Sequence, residues 1–155
     1  MNVLQDVADV FSGFHDGVIT GFEGDYEKLI LIMECQYIAE KVNPNYERFY
    51  IELLSVEKLE FDTWRSTEKH PEKILSDLRQ IFQTELEIMT GKVDDDHVFI
   101  LCRVDDIDYG YTGGIIRMNC NGIKIHDQGG DELSLGSFHE IVSGYWESAR
   151  NRRNG

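Results

Sequence analysis

Positive charge is what this sequence has least of. Across 155 residues, 15 lysines and arginines stand against 29 aspartates and glutamates, a formal net charge of −14. Binding phosphates needs a cationic surface that releases their counterions, so a nucleic-acid partner is disfavoured, as is an anionic membrane. Long apolar runs are missing too. No segment approaches the length that crosses a bilayer, and the start, MNVLQDVADVF, has neither the basic residues nor the apolar stretch of a signal peptide. A cytoplasmic protein is expected. Cysteine is scarce: Cys35, Cys102 and Cys120 are an odd number inside expected strands, the pattern of buried reduced thiols and not of a disulfide framework.

The motifs that announce chemistry are lacking as well. There is no HExxH, no His-Cys ligand spacing and no serine in a GxSxG elbow. The glycine pairs Gly113-Gly114 and Gly129-Gly130 have neither the lysine nor the helix start of a phosphate cradle, and Gly113-Gly114 reads as a bend or bulge in a strand. The acidic runs Asp94-Asp95-Asp96 and Asp105, Asp106, Asp108 do not follow the calcium-loop pattern of alternate oxygen ligands, a sixth-position glycine and a twelfth-position glutamate. No cofactor, no metal and no catalytic residue is expected.

What is present is alternation. Val18, Thr20 and Phe22 alternate with Ile19, Gly21 and Glu23; Gly24 and Asp25 supply a turn; and Leu29 to Met33 is wholly apolar before Glu34 and Gln36 alternate with Cys35 and Tyr37. Phe14 to Ile38 therefore reads as the first hairpin of a twisted antiparallel sheet, its second arm a central strand covered on both faces for part of its length. Before it, residues 3 to 11 have helical spacing, with Gly13 placed for a left-handed C-cap. After the turn at Asn43-Pro44-Asn45, strands follow at 49–54 and 59–64.

His70-Pro71-Glu72 has the form of a helix start, and Ile74, Leu75, Leu78, Ile81 and Phe82 make one apolar helical face. Residues 85–90 fit either the tail of that helix or a strand, the strand favoured because Gly91 and the Asp94–Asp96 run look like its closing turn, and 97–104 reads as another strand. The segments 113–119 and 122–126 are expected to pair as a hairpin through Asn121-Gly122. A closing helix is expected from Ser137, whose spacing to Glu140 is that of a capping box, with Phe138, Ile141, Val142, Tyr145, Trp146 and Ala149 as its buried stripe and 150–155 frayed. The expectation is one α+β domain: a curved antiparallel sheet of about seven or eight strands with three helices mainly on one face.

The loop DDIDYGYTGG combines negative charge with two amphipathic rings. Tyrosine is enriched in interface cores and acids steer toward a basic protein partner, so Asp105, Asp106, Asp108, Tyr109 and Tyr111 are the candidate binding residues. The alternative is that both rings fold back onto the sheet. The other acidic run, Asp94–Asp96, lies at the opposite end of the intervening strand, about 20 to 25 Å away at roughly 3.3 Å per residue, so the two would not form one site.

The Phe14-His15-Asp16-Gly17 start followed at once by an alternating hairpin, together with the WxxA arrangement of Trp146 and Ala149 in the closing helix, resembles small bacterial domains grouped with the immunity proteins of polymorphic toxin systems. The resemblance implies a cytoplasmic, non-enzymatic protein that neutralises a cognate toxin, often a basic nuclease. It carries over no site residue. Two other functions compete. One is a hydrolase-like enzyme in which His15, Asp16, His126 and Asp127 converge in a pocket. The other is a structural subunit that forms a homodimer by pairing an exposed edge strand with its copy.

Overall fold

The computed structural model describes residues 3–65 and 72–154. In chain order its elements are α1 (Val3–Gly13), β1 (Val18–Gly24), β2 (Lys28–Glu34), α2 (Gln36–Val42), β3 (Arg48–Leu54), β4 (Glu57–Arg65), β5 (Ile74–Leu75), α3 (Leu78–Ile81), β6 (Leu86–Asp94), β7 (His97–Arg103), a 3-10 turn at Ile107–Tyr109, β8 (Tyr111–Asn119), β9 (Gly122–Asp127), β10 (Glu132–Leu133) and α4 (Leu135–Asn154). The α+β class and the antiparallel sheet are as expected, but among the described residues the sheet has ten strands and there are four α-helices. The extra strands are the two-residue edges β5 and β10, too short for any periodicity to reveal.

The order β10-β9-β3-β2-β1-β6-β7-β8-β4-β5 shows that β8 and β9 are not a hairpin, despite Asn121-Gly122 between them. They are one long strand that bends. Leu54 pairs with Gly122 and Glu57 with Asn119 in the same register, and Asn121 N–H donates to the Leu54 carbonyl at 2.8 Å. Thus β3–β4 and β8–β9 form a continuous two-stranded ribbon, bent where Ser55 and Lys58 adopt positive φ. On its flanks β3 pairs with β2, and β8 with β7. Since β2 pairs with β1, β1 with β6 and β6 with β7, the backbone ladder runs round a closed circuit.

The weak point of that circuit is β1 against β6, where only Val18–Glu87 and Ile19–Leu86 pair. One step further Ile88 N–H donates to the Gly17 carbonyl (2.8 Å) and the Ile88 carbonyl accepts from Asp16 N–H (2.9 Å); past that the strands run apart, and each leaves an edge that must be satisfied otherwise. Along β6 the work is done by α1: Ser12 Oγ donates to the Gly91 carbonyl (2.8 Å) and accepts from Gly91 N–H (3.1 Å). Gly91 is therefore not a closing turn. It lies within β6 because a side chain there would sit 2.9 Å from the Ala8 carbonyl oxygen, so its absence lets the helix approach. Along β1 the chain near α3 fills the gap, with the Phe22 and Phe82 rings 5.5 Å apart.

Four further expectations are corrected. The helix expected from 70 to 82 is a two-residue strand and a single turn: β5 pairs with β4, and Asp77 then caps α3 by accepting from the N–H groups of Arg79 and Gln80. His70 and Pro71 lie outside the described residues. The second hairpin arm stops at Glu34, because Cys35 N–H donates to the Glu47 carbonyl and α2 begins, taking Tyr37 and Ile38 into a helix. The closing helix starts earlier than Ser137, whose N–H is capped by Ser134 Oγ at 3.1 Å, and it stays helical through Asn154 where fraying was expected. The outward side chains of β2, Ile30 and Ile32, are only half-buried, so that strand is central but covered fully on its inner face alone.

The core joins the circuit's inner face to the helices. Phe14, Phe49 and Phe138 are fully buried with centroids 4.7 to 6.2 Å apart, tying the end of α1, β3 and α4 together. Gly13 serves this contact and not a left-handed cap, since a side chain there would meet the Phe138 ring at 3.0 Å. The phenylalanine of the FHDG start is thus a core anchor. Two substitutions test the arrangement by chemical denaturation: Phe138→Ala is expected to cost about 3–5 kcal/mol, and Gly91→Val, which wedges α1 off β6, about 1–3 kcal/mol.

Candidate functional site

The divergence of β1 from β6 opens a cleft of about 600 Å³. Its floor comes from the seam, with Val18 and Thr20 on β1, Glu87 on β6 and Arg103 on β7. Its walls come from residues 82–85 and from the loop after β7. Glu85 and Glu87 are two apart on an extended segment, so they face the same way. Asp105 and Asp106 approach from the other side, so four carboxylates meet one guanidinium. Arg103 is already engaged, with Nη2 at 2.5 Å from Glu87 and Nε at 3.5 Å from Asp105.

The loop itself is held by its own polar groups. Asp106 accepts from the Asp108 N–H at 3.0 Å, starting the 3-10 turn, and Gly110 takes a positive φ (84°) to turn the chain into β8. Gln83 connects the two walls, accepting from the Tyr109 hydroxyl at its carbonyl (3.2 Å) and donating from Nε2 to the Tyr111 hydroxyl (3.0 Å).

Of the five candidate residues, Asp105, Asp106 and Tyr109 line this cleft, while Asp108 is exposed outside it. Tyr111 is 2 % exposed, its ring against Phe61, and burial pushes its hydroxyl pKa up. For Tyr111 the ring folds back onto the sheet and offers nothing to a partner. Gly113 and Gly114 explain why β8 can lie so close there: side chains at these positions would run into the Cys102 and Asp62 carbonyls at 2.4 Å. The ladder also shifts register between Trp64 and Arg65, opposite Gly113 and Tyr111, which is the irregularity the glycine pair announced. Glu85, Glu87 and Arg103 were not singled out from the sequence. Only the alternation of Glu85 and Glu87 with Leu86 and Ile88 hinted at a shared carboxylate face, and nothing local placed Arg103 opposite Glu87.

The histidine and aspartate pairs do not form a common pocket. His15 sits at the turn after α1, with Nδ1 2.6 Å from the Met89 carbonyl, Nε2 3.5 Å from Asp16 and its ring 6.1 Å from Trp146. His126 lies on β9 beside Tyr50, and Asp127 is buried, accepting from the Asp131 N–H to close the following loop. Neither pair is within hydrogen-bond reach of the other. Among the described residues no group of three or more His, Cys, Asp or Glu is placed to hold a metal ion. What the cleft can do is attract cations and hold them beside the Tyr109 and Phe82 rings.

No protein-family model, curated protein or solved structure matches the chain. No helix among the described residues is long and apolar enough to cross a membrane.

All three thiols are buried and free, and burial raises each pKa, that of Cys35 from 9.0 to about 11. The native chain is therefore expected to resist a thiol reagent at pH 8, with three equivalents reacting after denaturation. A pKa raised by folding favours the folded state only while the thiol keeps its proton, so stability should fall as pH rises from 9 through about 11. Denaturation midpoints measured across that range check the sign, and replacing Cys35 with Ala should flatten the slope.

Proposed function

We propose that this protein is a non-enzymatic binding protein of the immunity type, which neutralises a cognate basic protein by docking it over the acidic cleft between β1 and β6. The observation that carries the reading is the cleft's charge: four carboxylates face one arginine that two of them already hold. An uncompensated anionic groove raises the encounter rate with a basic surface and fixes its orientation. Asp105, Asp106 and Tyr109 supply the outer lip, Asp108 extends the negative edge, Glu85 stands on the opposite wall and Glu87 on the floor. The net charge of −14 extends the attraction beyond the cleft, within the reach that salt allows. The resemblance of the FHDG start and the WxxA helix to immunity domains points the same way.

A structural role built on edge pairing has less to work with. The two sheet edges, β5 and β10, are two residues each, the form in which proteins keep edges from recruiting another strand.

The test is co-expression and binding with the product of an adjacent toxin-like reading frame. Asp105→Lys combined with Asp106→Lys should slow association by about tenfold or more at low salt and flatten its dependence on ionic strength, with the fold unchanged by circular dichroism. A toxin that binds this double variant as fast as the parent, or whose association does not respond to salt, would remove the cleft from the interface.

A further inference from the structure

A second constellation lies on β1, β2, β3 and β9, on the face where Ile30 and Ile32 are half-buried. Cross-strand neighbours there form two rows: Glu23, Ile30, Glu52 and Lys124 on β1, β2, β3 and β9, and beside them Ile32, Tyr50 and His126. Between the rows is a recess of about 320 Å³ lined by Glu23, Ile30, Tyr50, Glu52, His126 and Gly130. Glu52 is the unusual member. It is 7 % exposed on a face whose charged residues are otherwise open to water, and its one partner among the described residues is the Lys28 ammonium, 3.1 Å from Oε1.

A carboxylate whose side chain is mostly buried, and which meets water only at the mouth of a recess, gains from each hydrogen bond that offsets its lost hydration. Here it receives a single contact, from a side chain that is itself 61 % exposed. Lys28 stands at the start of its strand and reaches Glu52 diagonally, so it can swing into solvent without disturbing the ladder. A planar guanidinium would serve this carboxylate better, offering two parallel donors where an ammonium offers a point charge. Ile30 and the Tyr50 ring supply an apolar and aromatic surface for the stem behind such a group, and Glu23 supplies a second negative charge at the rim. The volume is at the small end for ligand sites, suited to one side-chain-sized group.

We propose that this recess is a binding site for a guanidinium group, with Glu52 as its anchor and Lys28 as the internal cation it displaces. The site is independent of the acidic cleft and does not depend on the function proposed for it. The source of the guanidinium is either a small free molecule or an arginine presented by a polypeptide.

The experiment is an NMR titration of the full chain with agmatine, with a blocked Gly-Arg-Gly peptide and with butylamine, reading the Ile30 methyl and His126 ring signals. Agmatine or the peptide should shift these signals saturably, whichever binds more tightly identifying the source, and butylamine should bind at least severalfold more weakly. Lys28→Met, which removes the competitor and keeps the stem, should tighten binding about threefold or more. Glu52→Gln should abolish it, and Glu23→Gln should weaken it without touching the buried group. Asp105→Lys with Asp106→Lys should leave these shifts unchanged, which separates this site from the cleft. No saturable shift in either the parent or Lys28→Met, retention of binding by Glu52→Gln, or equal shifts with butylamine would each overturn the proposal. In that case Lys28 is a neutraliser, and its replacement only lowers stability.

Discussion

The structure depends on a backbone ladder that closes on itself through two residue pairs, Val18–Glu87 and Ile19–Leu86. Everywhere else in the circuit neighbouring strands pair over five residues or more, and the ribbon of β3–β4 with β8–β9 holds its two halves together. Because β1 and β6 overlap only at their beginnings, each presents backbone groups that another element has to meet. The N-terminal helix meets one set through Ser12, and the chain around α3 covers the other. The acidic cleft is a consequence of the same geometry. It is the space left where two strands part and a charged loop leans over the gap.

Alternation in the sequence was sufficient for β4, where buried Leu59, Phe61 and Thr63 differ clearly in polarity from Glu60 and Asp62; β1, β3 and β7 were legible as strands although outward Phe22, Tyr50, Phe99 and Leu101 blur the contrast. It misled at Gln36 and Tyr37, where one more alternating pair looked like strand and a new helix begins. Asn121-Gly122 failed for a different reason. Its turn chemistry was read as a chain reversal, yet here the pair sits at a bend in a strand that keeps its partner on both sides, and what decides between bend and reversal is pairing with β3, some seventy residues earlier in the chain. Asp105, Asp106 and Tyr109 were recognisable because a polar loop carries its own label. Glu87 and Arg103 were not, because their meeting is a product of the β6–β7 register. Tyr111 looked like its neighbour Tyr109 in sequence, and only the close approach of β8 to β4 at Gly113 and Gly114 separates a fully buried ring from a half-buried one.

Charge is arranged more economically than the composition implies. Five cations on the sheet are held by carboxylates beside them: Arg117 with Asp62, Arg103 with Glu87, Arg48 with Glu34, Lys28 with Glu52 and Lys124 with Glu132. Each pairing neutralises one acid, and most are exposed enough to add little to stability. Their larger effect is spatial. They leave the uncompensated acids at the turns and at the cleft, where a field can act on something outside the protein.

The continuous ribbon has a kinetic consequence. Its two strands come from residues 48–65 and 111–127, so the ladder cannot form until a long stretch of chain has been brought round, and the partners of β2 and β7 wait on the same event. Topologies dominated by such distant pairings fold slowly, on the order of milliseconds to seconds. During synthesis the first hairpin can form early, but its apolar inner face, Leu29, Leu31 and Met33, stays uncovered until the later half of the ring emerges from the ribosome. An abundance of negative charge on the unfinished chain would then serve a purpose before any partner arrives, by keeping partly built copies apart.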